Sequence, residues 1–136
     1  MLAATSPCLS SQSMRILAAD DEADVRLLIE LALGMDPAIA LTVVASGREA
    51  LAQAAGGRFD LIVLDGLMPD LDGAATCRHL KSDSRTAAVP VVFLTALSSD
   101  DARAELRAAG GAGFVAKPFD PFTLAAELAA FVQPLD

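Results

Sequence analysis

The chain has 136 residues, 54% of them hydrophobic and 21% charged: enough for one domain with a buried core, and too apolar for a disordered chain. Its formal charge of −8, from eighteen acids against ten basic residues with no basic run, argues against binding nucleic acid or an anionic membrane surface. No apolar stretch reaches the roughly 18–20 residues of a membrane span. Two cysteines (Cys8, Cys77) and one histidine (His79) are too few for a disulfide framework or a Cys/His zinc site, which suits a reducing cytoplasm.

Residues 1–13 are small and polar and lack the charged and apolar regions of a secretory signal. They read as a disordered tail before a single domain over 14–133, with Met14 as a possible alternative start. Residues 15–19 (RILAA) are a short apolar run ending in acids, a strand. Over 23–35, Val25, Leu28, Ile29, Ala32 and Leu33 recur at helical spacing on one face. Residues 41–45 (LTVVA) are β-branched and short, a second strand. Ser46 and Glu49 form a capping-box pattern that opens a helix ending at Gly56-Gly57. Residues 59–64 (FDLIVL) are a third strand, and 73–82 a third helix with Ala74, Cys77 and Leu80 on one side. Asp70 and Asp72 serve the turn before it. Residues 90–94 (PVVFL) are a fourth strand, with Pro90 at the one strand position that tolerates it. A fourth helix over 98–109 stops at Gly110-Gly111, and 113–116 (GFVA) is the fifth strand. Asp120 followed by Pro121 reads as an N-cap and first helical residue, with the last helix running to about 132.

The sum is an α/β fold of (βα)₅ type. Its strands are near-continuous apolar runs, as in a parallel sheet covered on both faces. Right-handed crossovers favour the doubly wound strand order 2-1-3-4-5. In such a sheet all strands end at one edge, where ligands bind. The first strand delivers Asp20, Asp21 and Glu22 there, the third Asp65, the fourth Thr95 and the fifth Lys117. Taken singly each has an ordinary explanation: a cap, a strand threonine, a lysine reaching for water. Their coincidence at one edge does not. Crowded carboxylates repel unless a cation compensates them, and an all-oxygen set suits Mg²⁺. Thr95 and Lys117, one of only two lysines, then read as the other half of a phosphoryl site: a hydroxyl donor and a fixed positive charge.

Several segments together resemble the response-regulator receiver family, of the chemotaxis single-domain kind, a flavodoxin-like fold. They are ILAADDE (16–22), LIVLDGLMP (61–69), Asp72-Gly73, VVFLTA (91–96) and Lys117-Pro118-Phe119, spread over 14–132. The resemblance implies a role for each residue. Asp65 would be the phospho-acceptor, taking a phosphoryl group from a histidine kinase or phosphotransfer protein. Asp21, Asp65 and the main-chain carbonyl of Leu67 would hold Mg²⁺ (or Mn²⁺), with Asp20 assisting through water. Thr95, the Ala96 N–H and Lys117 would bind the phosphoryl group, and the Lys117-Pro118 bond would be cis. Phe114 would be the aromatic switch, its ring turning inward as Thr95 moves. The output would be protein–protein, through the face formed by the fourth helix, fifth strand and fifth helix, to a downstream target. The chain would be a cytoplasmic monomer or a phosphorylation-linked dimer, with no direct nucleic-acid contact and no membrane insertion. Leu67 and Leu97 stand where relatives tune the approach of a hydrolytic water; two leucines cannot orient one, so slow self-dephosphorylation is expected. Exposed charges on the fourth helix, Arg103 and Arg107 among them, read first as a solvated face.

Two other classes compete. A Mg²⁺-dependent phosphohydrolase of haloacid-dehalogenase type also uses an Asp nucleophile with Thr and Lys helpers. It carries an acid two residues after the nucleophile, where this chain has Leu67. A phosphorylation-independent interaction domain is the third, and the intact Asp20, Asp21, Asp65, Thr95 and Lys117 set speaks against it.

Overall fold

The computed structural model describes residues 14–66, 68, 71–96 and 100–132. Strands and helices alternate: β1 Met14–Ala19, α1 Ala23–Gly34, β2 Ile39–Val44, α2 Gly47–Gly56, β3 Leu61–Asp65, α3 Gly73–Ser82, β4 Val91–Thr95, α4 Asp100–Ala108, β5 Gly113–Ala116 and α5 Leu124–Ala129. The strands pair in parallel in the order β2-β1-β3-β4-β5, as the pattern of apolar runs predicts. Every residue of β3 and β4 is buried, because helices cover both faces.

Alternation along the strands divides the core in two. Leu17, Ala19, Ile62, Leu64 and Phe93 face one way and pack with Ala50 and Ala54 of α2, Cys77 and Leu80 of α3, and Leu106 of α4. Ile16, Ala18, Val63, Val92, Leu94 and Val115 face the other way, against Ile29, Ala32 and Leu33 of α1 and Leu124 and Leu128 of α5. Burial pushes the Cys77 thiol above its ordinary range, with the Lys81 and Arg78 charges offsetting this only in part. No helix among the described residues is long and apolar enough to cross a membrane.

Helix starts follow local chemistry. Ser46 Oγ accepts the Glu49 N–H at 3.1 Å, and Asp72 Oδ1 caps α3 through the Ala75 N–H at 2.8 Å. The Glu49 carboxylate reaches back to the Ala45 N–H at 2.8 Å, one residue upstream of the bond a capping box makes. Asp120 caps the turn that leads into α5: its carboxylate accepts the Phe122 N–H at 2.9 Å and its carbonyl the Leu124 N–H at 3.0 Å, with the regular helix running from Leu124. One expectation needs correction. On α1 the apolar pattern is wider than the buried face. Ile29, Ala32 and Leu33 are buried, whereas Leu28 stays 41% exposed beside Leu27, Leu31 and Met35 at 55–63%.

Candidate functional site

The register of the sheet assembles the site. Ala19 pairs with Leu64, so the next residues along, Asp20 and Asp65, leave the sheet side by side. Thr95 pairs with Ala116, and the Lys117 N–H donates to the Thr95 carbonyl at 3.0 Å, extending that ladder to the same edge. The main chain behind Asp65 is tight. A side chain on Gly73 would meet the Asp65 carbonyl at 2.5 Å, a backbone atom that cannot step aside. The α3 cap thus presses against the strand that carries Asp65, and glycine is the residue that allows it.

The carboxylates differ in surroundings. Asp20 is fully buried and Asp65 nearly so, while Asp21 is exposed. Asp20 Oδ1 accepts the Glu22 N–H at 2.9 Å, and the Asp20 carbonyl accepts from the Arg26 guanidinium at 2.8 Å, which straps α1 to the end of β1. Asp20 is therefore not the cap of α1; the residue at that position is Glu22, whose side chain makes no capping bond. Lys117 Nζ lies 2.8 Å from Asp20 Oδ2, 3.2 Å from Asp65 Oδ1 and 3.6 Å from the exposed Glu22 carboxylate. The Asp20 Oδ2 contact is an ion pair outside good hydrogen-bond angles, and that oxygen has no better-aligned donor among the described residues. Burial alone would lower the Lys117 pKa. The close ion pair with Asp20 and the charge of Asp65 outweigh it and hold the ammonium above the ordinary lysine range.

One ammonium does not neutralise three carboxylates. Asp20, Asp21 and Asp65 each offer an oxygen, all within 4.8 Å of one another, a spacing and donor set that fit a hard divalent cation. In front of them lies an open cavity of about 300 Å³ lined by Asp21, Glu22, Asp65, Thr95, Ala96 and Lys117. A somewhat larger cavity, about 360 Å³, lies at the opposite edge of the sheet beside Phe59 and Thr86. Its Arg85 is engaged by Asp83 at 2.7 Å, and it gathers no comparable set of reactive groups.

A nearly buried carboxylate beside two further acids, a hydroxyl and a lysine at the switch edge of this sheet lies within a stretch that a known family pattern matches. The response regulator receiver domain pattern matches residues 16–129. The chain belongs to that family. The receiver domain is 39% identical over 130 residues to the response regulator PleD of Caulobacter vibrioides, an overlap of 89% of this chain and 26% of that protein. It spans from about a quarter to about half the length of the curated relatives it matches. Among solved structures it is similar to the chemotaxis protein CheY4 of Vibrio cholerae, with a TM-score of 0.83 and 32% identity over 88% of this chain and 99% of that one. It is similar also to the receiver domain of the sensor histidine kinase PA1611 of Pseudomonas aeruginosa, described with a magnesium ion coordinated in its active-site cleft. There the TM-score is 0.80 and the identity 29%, over 88% and 97% of the two chains.

Asp20, Asp21, Asp65, Thr95 and Lys117 thus come together at one edge of the receiver domain as the strand-end reading expects, Ala96 lines the same cavity, and the Lys117-Pro118 bond is cis. Leu67, whose carbonyl is the fourth expected metal ligand, and Leu97 lie outside the described residues, as do Asp70 and the tail over 1–13. Phe114 sits on β5 at half burial, stacked on Phe93. Arg26 is not among the expected site residues, and Glu22, expected at this edge, has no role assigned from sequence. Glu22 carried a signal, since it follows the acid pair directly. Arg26 carried none, because its contact with the Asp20 carbonyl depends on how α1 leaves the strand.

Proposed function

We propose that this receiver domain accepts a phosphoryl group on Asp65 from a histidine kinase or histidine phosphotransfer protein in the cytoplasm. The Asp65 carboxylate, placed beside Lys117, Asp20 and Asp21, is the observation that carries the reading. An Asp65 oxygen attacks phosphorus, the bond from phosphorus to the donor's imidazole nitrogen breaks, and the nitrogen keeps the electron pair. Thr95 and the Ala96 N–H donate to phosphoryl oxygens as charge develops, and Lys117 transfers its contact from Asp65 to one of them. Asp20, Asp21, Asp65 and the Leu67 carbonyl would hold Mg²⁺ or Mn²⁺, which supplies positive charge to the phosphoryl oxygens when bound. Incubation with acetyl phosphate and Mg²⁺ tests the reading. Stoichiometric, alkali-labile modification is expected; sustained release of phosphate from small esters would support the dehalogenase-type hydrolase, and no modification an interaction domain. The amide-for-carboxylate variant at Asp65 completes the test.

The acyl phosphate is expected to persist for minutes or longer in Mg²⁺ buffer, since Leu67 and Leu97 offer no group to orient water. A half-life of seconds would overturn this. We place the output on the α4–β5–α5 face, toward a downstream protein, with the domain a monomer or a phosphorylation-linked dimer bound to neither nucleic acid nor membrane.

The donor's own surface must cover the rim of the cavity to bring phosphorus within bonding distance of Asp65. α1 starts at that rim and carries exposed Leu27 and Leu31, with exposed Met35 just past its end continuing the i, i+4, i+8 strip. We assign this strip to the donor. Replacing Leu27 and Leu31 together by Ser is expected to slow transfer from the protein donor by about 10- to 100-fold, the loss of two buried side chains at an interface. Modification by acetyl phosphate should be unchanged; equal slowing with both donors would overturn the assignment.

A further inference from the structure

α4 is thinly anchored. Of its nine residues only Leu106 is buried, against three to five in α1, α2 and α3. A second tie to the sheet is polar. The Arg103 and Arg107 guanidinium carbons lie 5.6 and 5.1 Å from the centre of the Phe114 ring on β5. Beneath, the same ring stacks on buried Phe93 of β4, centres 6.4 Å apart and planes 27° from parallel. Arg103 Nε is buried and has no hydrogen-bond partner among the described residues. A buried donor without an acceptor calls for an explanation, and the ring face supplies one. Two like charges one helical turn apart repel, and a shared aromatic face offsets that repulsion.

The clamp is connected to the site. A point beside Gly66, where a Cβ would stand, has the Thr95 hydroxyl 3.2 Å away and a Leu106 methyl 3.7 Å away. Thr95 and the one buried residue of α4 thus border the same small space beside Gly66. Arg103 and Arg107 flank that anchor in sequence, and Thr95, Phe93 and Phe114 lie on one face of the sheet. We propose that Arg103 and Arg107 are positioning residues: they grip the Phe114 ring, tie α4 to β5, and hold the arrangement in which Lys117 spans Asp20 and Asp65. Movement of Thr95 toward a phosphoryl group displaces Leu106, and the clamp opens in the same step. This inference rests on the phospho-acceptor reading and adds the element that sets its switching threshold.

The test uses beryllofluoride, a phosphoryl mimic, and NMR. In the wild-type protein the δ-methylene protons of Arg103 and Arg107 should resonate upfield from the ring current of Phe114. The upfield shift should disappear in Phe114→Leu and on saturation with beryllofluoride and Mg²⁺. The double variant R103Q/R107Q should bind beryllofluoride about three- to tenfold more tightly than wild type, the scale of one or two cation–π contacts released. Its Mg²⁺ affinity should not change, its α4 amides should exchange faster, and R103K/R107K should fall between. The same Gln pair introduced into the Phe114→Leu background should then have no further effect. Absent upfield shifts, unchanged or weaker beryllofluoride binding, or an equal effect without the ring would each overturn the clamp. If wild type does not bind beryllofluoride at all, the phospho-acceptor reading fails. The ring-current shifts and α4 exchange then decide the clamp by themselves, present for it or absent against it.

Discussion

Asp65→Asn is expected to reduce modification by acetyl phosphate to background, a loss of at least about 100-fold, because an amide oxygen is not a competent nucleophile at phosphorus. Asn has the size and shape of Asp, so the fold should survive. It also removes one of three carboxylates whose oxygens lie within 4.8 Å of one another, so thermal stability in the absence of divalent cations should not fall. Mg²⁺ affinity should fall with the lost charge. Mass spectrometry after acetyl phosphate treatment, with hydroxylamine or alkali reversal, reads the first effect, and thermal denaturation in EDTA the second. Full modification of the variant would move the acceptor to another residue. A large drop in stability would mean that Lys117 depends on Asp65 more than on Asp20.

Lys117→Met carries the second large effect. Lys117 is the counter-charge to fully buried Asp20, at 2.8 Å, and to nearly buried Asp65, at 3.2 Å. Methionine keeps the length of the side chain and removes the charge. Breaking a buried pair from one side costs about 3–5 kcal/mol; Lys117 is partly solvated at the cavity, so about 2–3 kcal/mol is expected here. Urea denaturation in EDTA measures it. The folded-state pKa of Lys117 is raised, so its contribution is complete below the ordinary lysine range and is lost as pH rises through the raised value. The gap between wild type and variant should therefore hold at neutral pH and close only in strong alkali. Mg²⁺ should stabilise the variant more than wild type, since a cation that binds the folded site then meets three uncompensated carboxylates. Equal stability of the two proteins in EDTA would mean that water, not Lys117, compensates Asp20.

The strand-end logic was legible in the sequence because it depends on local patterns. Apolar runs of four to six residues fix where strands lie, and parallel topology sends every strand end to one edge. That was enough to gather Asp20, Asp21, Asp65, Thr95 and Lys117. Periodicity was less informative where a helix is apolar on more than one face. Leu28 falls on the core stripe of α1 by spacing yet stands 41% exposed, because Ile29, Ala32 and Leu33 already fill the space over the sheet. The start of α5 was legible because a cap is local: Asp120 accepts the Phe122 N–H with its carboxylate and the Leu124 N–H with its carbonyl, ahead of the regular helix at Leu124.

By itself the sequence determined the (βα)₅ order, the sheet edge that carries the chemistry and the types of group delivered there, since periodicity, caps and residue chemistry act over short spans of chain. Tertiary structure alone decided how those groups share their charges. It buries Asp20 and leaves its neighbour Asp21 exposed, gives the Lys117 ammonium to Asp20 and Asp65 together, and lays Arg103 and Arg107 over Phe114. Those contacts join residues from different strands and helices. Their distances follow from sheet register and helix packing, which no local pattern contains.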